Sequence, residues 1–452
     1  MRREYFGTDG VRGIVGEFLT ADLVERLGRA VVLWSGAERV FVGRDTRRSG
    51  IELEAALAAG ITSAGATAVL GGVLPTPAVA LGALDLGAMI TASHNPPDYN
   101  GVKFFGAGGR KLDDAEEAEI EALLDASPGA NRGEVVAAID AGAPYLEHVL
   151  RHFGSDLSGL RIVIDCANGS FSELAPGAFA RLGAEVHTIG AAPDGSNINV
   201  GCGATDLAQL QASVTERGAS LGIAFDGDGD RMLAVDERGE IVDGDGIVAI
   251  LALDLGVDLV AVTQMTNLGF HALMAENGIR VVTTDVGDRY VLEALAQEGG
   301  VLGGEQSGHL LYLRNHVSGD GLAAGLLLCA ALRGRTLSEA AGVLPRYFQC
   351  KENIAVTSKE LTPNLQAAIE RANAELGTAG RVLVRPSGTE PLMRVLVEAE
   401  NHDLAGKTCA SIVRLVESEL GSGHTCPEVE PFVVEGDIRV QDSSDSADTT
   451  DT

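Results

Sequence analysis

The chain is poor in basic residues, in aromatic residues and in long hydrophobic runs. Its 452 residues carry 34 Lys plus Arg against 64 Asp plus Glu, a formal net charge of −30. Nucleic acids and anionic membranes repel such a chain, so neither is an expected partner. Aromatic residues make up 4% of it, with the single tryptophan Trp34. This scarcity argues against a surface that stacks on bases or sugars.

The sequence also lacks a membrane span, a secretory signal and a cysteine framework. The longest apolar stretch, Gly321 to Leu332, is too short to cross a bilayer and predicts a buried helix. The N-terminus has no apolar run of the kind found in signal peptides. The six cysteines are scattered without any metal-ligand spacing. Because such thiols fit a reducing compartment, we expect a cytoplasmic protein.

What the chain does contain is a repeated alternation of strand-like and helical segments. Strand-like runs at Arg39–Gly43, Leu160–Asp165 and Leu259–Thr263 each open a round of strands and helices. Three such rounds predict α/β layers. A shorter pattern of strands with two helices follows and predicts a small α+β unit. The acidic run Leu112–Asp125 is interpreted as a helix with a solvated face.

A polar loop follows the apolar strand Ala88–Thr91. Within it, Ser93 precedes His94 and the turn signal Asn95-Pro96, with Lys103 further along. A serine exposed at such a strand end can carry a phosphoryl group, whose charge His94 and Lys103 would neutralise. An ST-turn is the alternative on local sequence alone. No G-x-S-x-G elbow occurs, which argues against an α/β-hydrolase.

Three aspartates, Asp226, Asp228 and Asp230, alternate with glycines and are followed by Arg231. Glycine lets the backbone turn so that alternate carboxylates converge on one hard cation. Oxygen ligands alone favour Mg²⁺ over Zn²⁺. An EF-hand is excluded because Arg231 stands at its glycine position and no helix precedes the loop. A simple acidic turn is the alternative, but the third aspartate and the arginine favour a metal with a phosphate.

The glycine-rich segment Gly303-Gly-Glu-Gln-Ser-Gly-His309 offers groups for a sugar. In an extended chain Glu305, Ser307 and His309 share one face. A carboxylate and a hydroxyl can bind vicinal sugar hydroxyls or an amine, and a histidine can donate to phosphate. A glycine-rich turn with surface polar groups is the alternative.

A second polar loop, Arg385-Pro-Ser-Gly-Thr-Glu-Pro391, offers groups for a phosphate. Ser387, Thr389 and the backbone amides around Gly388 predict an anion-binding nest, with Arg385 as a bidentate fork. An ordinary ST-rich turn is the alternative. No Walker A motif occurs anywhere in the chain.

Two weaker patches each add an arginine. Arg12 lies in a glycine-rich N-terminal loop, and Arg289 lies at the start of a predicted helix, where backbone amides favour anions. Either arginine alone is equally consistent with a structural role.

Together these motifs resemble the α-D-phosphohexomutase superfamily. The resemblance runs from Phe6 to about Leu420 through ten patches in order: FGTDGVRG, TASHNPPDYNGVKFF, DCANG, PDGSNINVGCGATD, DGDGDR, TNLG, VGDRYV, GGEQSGH, SGDG and RPSGTEP. GEQSGH, PDGSNIN and GDRYV are more similar to the glucosamine branch than to the mannose/glucose branch. VTQMTN and VSGDG depart from the commoner family forms at non-catalytic positions. The tail after about Ser422 has no family counterpart.

The resemblance implies an α/β chain of four domains around a central cleft, three similar mixed α/β domains and a smaller C-terminal α+β domain. The expected limits are 1–148 for a phosphoserine-loop domain, 149–250 for a metal-binding domain, 251–352 for a sugar-binding domain and 353–424 for a phosphate-binding domain. The remaining residues, 425–452, are rich in Ser, Thr and Asp and predict a disordered acidic tail.

The resemblance also implies a reaction. It is the interconversion of glucosamine 6-phosphate and glucosamine 1-phosphate, which feeds UDP-N-acetylglucosamine and cell-wall precursors. Phosphorylated Ser93 would exchange its phosphoryl group with the sugar through a hexosamine 1,6-bisphosphate, which is both intermediate and activator. Mg²⁺ would be held by Ser93, Asp226, Asp228 and Asp230. We expect a monomer or homodimer that acts on a small-molecule sugar phosphate.

The remaining site residues divide by expected role. Lys103, Arg12 and His309 are candidates for the base that deprotonates the attacking hydroxyl, and the sequence does not rank them. His94 and Arg231 complete the predicted catalytic set. The predicted substrate-binding residues are Glu305, Ser307, Arg289, Arg385, Ser387, Gly388, Thr389 and Arg394.

Cations in or beside the motif loops predict a positive cleft inside an acidic shell. Three alternatives to the glucosamine mutase stay open. They are a phosphomannomutase or phosphoglucomutase of the same superfamily, a non-catalytic sugar-phosphate sensor, and a Mg²⁺-dependent phosphatase with Asp226 as nucleophile.

Overall fold

Four β-sheets follow one another along the chain. The computed structural model describes residues 4–7, 9–129, 132–387 and 391–421. Each of the first three sheets mixes parallel and antiparallel strands, and the fourth is antiparallel. The predicted class, three mixed α/β domains and a smaller α+β domain, is confirmed.

The first sheet carries the serine loop. Its strands are β1 (Val11–Ile14), β2 (Arg39–Arg44), β3 (Thr67–Val73), β4 (Leu86–Ile90), β5 (Tyr99–Gly106) and β6 (Val135–Ala137). Its helices are α1 (Ala21–Ser35), α2 (Gly50–Ser63), α3 (Thr76–Leu81) and α4 (Asp114–Glu121). The strand order is β1-β5-β4-β2-β3-β6. Because β2 and β4 are parallel neighbours, the loops after them leave the same edge of the sheet.

The second sheet carries the aspartate loop. Its strands are β7 (Arg161–Asp165), β8 (Glu185–Ile189), β9 (Leu221–Phe225), β10 (Met232–Asp236) and β11 (Ile241–Val242). The helices before and between them are α5 (Gly142–Phe153), α6 (Leu174–Arg181) and α7 (Ala208–Arg217). The order is β11-β10-β9-β7-β8, and the aspartates occupy the turn between antiparallel β9 and β10.

The third and fourth sheets carry the sugar and phosphate loops. The third-domain elements are α8 (Gly244–Leu255), β12 (Leu259–Thr263), α9 (Leu268–Glu276), β13 (Arg280–Thr284), α10 (Asp288–Glu298), β14 (Leu302–Gly304), β15 (Leu310–Tyr312), α11 (Gly321–Leu332) and α12 (Leu337–Ala341). The fourth-domain elements are β16 (Phe348–Ala355), α13 (Pro363–Leu376), β17 (Gly380–Pro386), β18 (Leu392–Ala399) and α14 (His402–Leu420). Their sheet orders are β13-β12-β14-β15 and β16-β18-β17. Single turns of 3₁₀ helix lie at Ala107–Gly109, Gly203–Thr205 and Gly377–Ala379.

One apolar core is continuous through the first three domains. It joins Phe105 of the first sheet to Phe179 of the second and Phe270 of the third. The fourth domain has a separate core that begins at Ile354 and ends at Leu420. Apolar packing therefore joins the first three domains through one core, whereas the fourth domain packs around a core of its own.

Several predictions about helices can be compared with these bounds. The buried helix predicted for Gly321–Leu332 is confirmed as α11. No helix among the described residues is long and apolar enough to cross a membrane. The predicted limits at 148, 250 and 352 fall inside α5, α8 and β16, because the chain passes from one sheet to the next in the loops before these elements. We propose domain limits in those loops; the predicted tail, 425–452, lies outside the described residues.

Candidate active site

Ser93 lies in the loop after β4 in an uncommon backbone conformation. Its φ is 52°, in the left-handed region, and its side chain is buried. The hydroxyl donates to Oδ2 of Asp226 at 2.7 Å and lies 3.2 Å from Nδ1 of His94. A non-glycine residue keeps such a conformation only where its surroundings fix it. The loop therefore presents the Ser93 oxygen directly to the aspartate loop of the second domain.

The fully buried side chain of Arg47 fixes this conformation. Its Nε donates to Oδ2 of Asp45 at 2.9 Å. The rest of the guanidinium donates to four carbonyls of the serine loop, those of Ser93, Asn95, Pro96 and Tyr99. Asn199 of the second domain also donates to the Ser93 carbonyl, at 2.9 Å. The sequence analysis missed Arg47, although its position after β2, the parallel neighbour of β4, was the available signal.

The three aspartates of the β9–β10 turn converge and are buried. Oxygens from all three lie within 4.8 Å of one another. Oδ1 of Asp228 and Oδ1 of Asp230 are buried and have no hydrogen-bond partner in the part of the chain that the structure describes. Burial and the other two aspartates raise the pKa of Asp226 well above its usual value. Buried, mutually repelling carboxylates with orphaned oxygens fit a hard divalent cation.

Lys103, on β5, provides a fixed positive charge at this turn. Its Nζ lies against three carboxylates, 2.9 Å from Asp228, 3.2 Å from Asp230 and 2.9 Å from Asp9. Burial opposes the charge, but these carboxylates raise the pKa of Lys103 well above its usual value. Lys103 is therefore held as a cation beside the Ser93 loop.

A charge network that the sequence analysis missed joins the first domain to the third. Nε2 of His309 lies 3.1 Å from Asp288, and its Nδ1 lies 3.6 Å from Asp230. Burial opposes protonation, but Asp288 and Asp230 raise the pKa of His309 to about 10. Lys111 contacts Asp288 and lies 3.1 Å from Asp9. These cations are therefore each matched by carboxylates, and they form a charge network in this part of the cleft.

The other predicted catalytic side chains lie at the same place. Arg231 and burial lower the pKa of His94 to about 3, so His94 is neutral beside the unphosphorylated Ser93. Nε of Arg231 lies 4.0 Å from Asp230. Arg12 pairs with Asp9. The structure thus brings together residues from the N-terminal loop, the serine loop and the aspartate loop.

The sugar loop connects β14 to β15. Glu305 accepts a hydrogen bond from the backbone of Gly287 at 3.1 Å, which ties the loop to the start of α10. The backbone of Glu305 donates to the carbonyl of His309 at 2.9 Å. Ser307 is exposed. Glu305 is therefore fixed near the charge network, and Ser307 faces solvent.

Arg289 contacts α4 of the first domain. It pairs with Asp114, and with Glu117 at 2.9 Å. This contact corrects the prediction of one solvated helix over Leu112–Asp125, because α4 ends at Glu121 and Glu117 is only 4% exposed. The predicted substrate-binding arginine thus joins the first and third domains at the cleft.

The phosphate loop lies between β17 and β18. Arg385 and Arg394 are opposite each other in register, an arrangement that disfavours the sheet unless an anion compensates. Burial and Arg394 lower the pKa of Arg385, and Nε of Arg385 is buried without a hydrogen-bond partner among the described residues. Ser387 is buried, whereas Gly388 and Thr389 lie outside the described residues. The arginine pair fits an anion.

Family models match the chain in four consecutive parts. They are phosphoglucomutase/phosphomannomutase alpha/beta/alpha domain I at 3–129, domain II at 143–239, domain III at 243–347 and the C-terminal domain at 352–415. These ranges follow the order of the four sheets.

Full-length relatives agree with this match. The chain is 48% identical to a phosphoglucosamine mutase of Moorella thermoacetica, with 91% of this chain and 98% of that protein covered. It is 45% identical to a phosphoglucosamine mutase of Bacillus subtilis, with 92% and 99% covered. A solved phosphoglucomutase/phosphomannomutase family protein from Burkholderia thailandensis matches with a TM-score of 0.78 and 26% identity, over 92% of this chain and 97% of that one.

Proposed function

Because the chain belongs to the phosphoglucomutase/phosphomannomutase family, we propose that its cleft interconverts glucosamine 6-phosphate and glucosamine 1-phosphate. The chain is a phosphohexomutase, an isomerase that works by phosphoryl transfer. The main support for this function is that the hydroxyl of Ser93 donates a hydrogen bond to Asp226, one of three aspartates whose oxygens converge. Relatives at 45–48% identity support the amino-sugar substrate.

Ser93 is the proposed phosphoryl carrier. The Oγ–P bond of phosphorylated Ser93 breaks as the 1-hydroxyl oxygen of glucosamine 6-phosphate bonds to phosphorus. The resulting 1,6-bisphosphate reverses its orientation in the cleft. Ser93 then takes the 6-phosphoryl group, which leaves glucosamine 1-phosphate. Lys103, Arg12 and His309 stay the predicted candidates for the base that takes the hydroxyl proton. Because Lys103 and His309 are cations in the ligand-free cleft, either would have to lose its own proton before it accepts this one.

The surrounding side chains position the reactants and balance charge. Lys103 and Arg231 lie beside the aspartates, where they stabilise the charge of the transferring group. Glu305 and Ser307 are proposed to hold the sugar. The proposed ligands of the phosphate that is not transferred are Arg385, Ser387, Gly388, Thr389 and Arg394, with Arg289 at the cleft edge.

Asp226, Asp228 and Asp230, with an oxygen of the Ser93 group, are the proposed Mg²⁺ ligands. The orphaned oxygens of Asp228 and Asp230 support this assignment. When bound, Mg²⁺ supplies positive charge that stabilises the transferring phosphoryl group. We place the reaction in the cytoplasm; a monomer or homodimer remains the predicted assembly.

Asp226→Asn is expected to separate metal binding from folding. Mg²⁺ that binds the native state stabilises the wild type, by about 2.7 kcal/mol at a hundred times its Kd. In the variant a neutral amide replaces the buried Asp226 carboxyl, whose ionised form is disfavoured by burial and by Asp228 and Asp230, so the metal-free protein should unfold at a higher temperature. Its response to Mg²⁺ should be lost. Thermal unfolding with and without Mg²⁺ measures both effects.

Asp156→Asn, in an exposed loop, is the matched control and should respond to Mg²⁺ like the wild type. An equal rise in Tm for wild type and Asp226→Asn would place the metal elsewhere.

The substrate comparison tests the amino-sugar assignment. We expect kcat/KM for glucosamine 6-phosphate to exceed that for mannose 1-phosphate and glucose 1-phosphate by at least about tenfold. A site built to bind an amine loses a buried polar contact when a hydroxyl replaces it. Steady-state kinetics with the three sugar phosphates measure the ratio. A hexose preference would support the alternative, a phosphomannomutase or phosphoglucomutase.

A further inference from the structure

Polar contacts join the fourth domain to the third. The buried residues of its apolar core begin at Ile354, and this core is separate from the core of the other domains. Arg381 on β17 donates to the carbonyl of Thr266 at 2.7 Å, which is a hydrogen bond between the fourth domain and the third. This bond helps to set the position of the phosphate loop, which follows β17.

Three polar residues lie in register across the fourth sheet, one on each strand. Gln349 on β16 and Arg381 on β17 both pair with Glu398 on the central strand β18. Gln349 donates to Oε1 of Glu398 at 2.6 Å, and Arg381 donates to Oε2. Glu398 is completely buried. A buried carboxylate with partners on both sides locks the orientations of Gln349 and Arg381 together.

Gln306 connects this row to the sugar loop. It stands between Glu305 and Ser307, the two residues proposed to hold the sugar. Its Nε2 donates to Gln349 at 3.1 Å and lies 3.2 Å from Oδ2 of Asp243, while its Oε1 accepts from Lys351 at 2.6 Å. The side chain thus reaches from the sugar loop to two residues of β16.

The backbone of Gln306 is fixed independently of its side chain. Its carbonyl accepts from the backbone of Gly244 at the start of α8, at 3.1 Å. A Cβ at Gly244 would lie 2.0 Å from the carbonyl oxygen of Glu305, so only glycine permits this approach. The sugar loop is therefore held at α8 through its backbone and at β16 through the Gln306 side chain.

We propose that Gln306 is a positioning residue that couples sugar binding to the placement of the phosphate domain. The route runs from Gln306 through Gln349 and Glu398 to Arg381, which holds the Thr266 carbonyl. A sugar bound to Glu305 and Ser307 favours one orientation of the fourth domain relative to the third. In that orientation Arg385 lies closer to the substrate phosphate. This inference rests on the proposed function for the identity of the ligand, but not for the contacts themselves.

The first test uses the ligand-free protein and hydrogen exchange followed by mass spectrometry. Gln306→Met keeps the length of the side chain and the backbone bond but removes the bonds to β16. We expect amides of β16 to exchange at least about threefold faster than in the wild type, with α11 unchanged. Gln366→Met, the same change on the exposed face of α13, is the matched control and should leave β16 unaffected. Unchanged exchange in β16 of Gln306→Met would overturn the coupling.

The second test is a double-mutant cycle with glucosamine 6-phosphate. Gln306→Met and Gln349→Met should each raise KM about tenfold and change kcat less than about threefold. If both residues act through one contact, the KM of the double variant should be no higher than that of the single variant with the higher KM. A KM increase in the double variant equal to the product of the two single increases would overturn the proposed route through Gln349. A wild type that does not turn over this sugar would refute the proposed function, while the ligand-free exchange still decides the coupling.

Discussion

Ser93→Ala is expected to reduce kcat by at least about 1,000-fold, the largest effect on activity of any single change in the chain. Alanine has no oxygen to carry the phosphoryl group, so neither half of the exchange can occur. Folding should be retained, because Asp226 keeps its bonds from the backbone of Gly229 and Arg231. Steady-state kinetics and the temperature of unfolding measure the two effects separately.

Intact-mass analysis tests the same residue without an activity assay. After incubation with a hexose 1,6-bisphosphate, the wild type should gain a phosphate-sized increment that Ser93→Ala does not gain. Ser213→Ala, at a half-buried position on α7, is the matched control and should gain it. Full turnover by Ser93→Ala would instead favour a phosphatase with Asp226 as the nucleophile.

Arg47→Met is expected to have the largest effect on stability. Removing one partner of a buried ion pair costs about 3–5 kcal/mol, since the remaining charge is left in a low-dielectric interior. Here the change leaves Asp45 without its cation and four carbonyls of the serine loop without a donor. Because these carbonyls set the conformation of Ser93, kcat should fall together with stability.

Urea unfolding followed by tryptophan fluorescence suits this measurement. Trp34 is the single tryptophan and lies on α1, in the same domain as Arg47, so its signal reports that domain. Arg47→Lys keeps the positive charge beside Asp45 but loses the planar guanidinium that bonds several carbonyls. Its free energy of unfolding should lie between those of the wild type and Arg47→Met. The pair Asp45→Asn with Arg47→Met should recover part of the lost stability. A loss below about 1 kcal/mol in Arg47→Met would show that the loop holds its conformation unaided.

Much of the site follows from local sequence, for identifiable reasons. The β9–β10 turn places Asp226, Asp228 and Asp230 together because alternating glycines allow a tight turn within six residues. The strand before Ser93 is apolar and ends in turn-forming residues, so the serine had to lie at a strand end. The α11 helix was predictable because its residues are almost all apolar and it is buried on every side.

Other features needed the tertiary structure. Arg47, Asp288 and Lys111 each have other charged residues close by in the sequence, and the sequence does not show which long-range contacts they make. Lys111 and Asp288 are 177 residues apart yet in contact. The solvated face predicted for α4 was wrong at Glu117, because Glu117 is buried against Arg289, 172 residues away.

The sequence by itself determined the family, the order of the domains and the loops that carry the chemistry. Each of these depends on short segments whose residue types dictate local conformation and chemistry. Only the tertiary structure decided the charge state of the cleft, because a pKa depends on burial and on charges brought in from distant segments. The pKa of His94 is lowered to about 3 and that of His309 is raised to about 10, although both residues are histidines with the same ordinary pKa. The contact between Gln306 and the fourth sheet was also decided only by the tertiary structure, since it joins residues from separate domains.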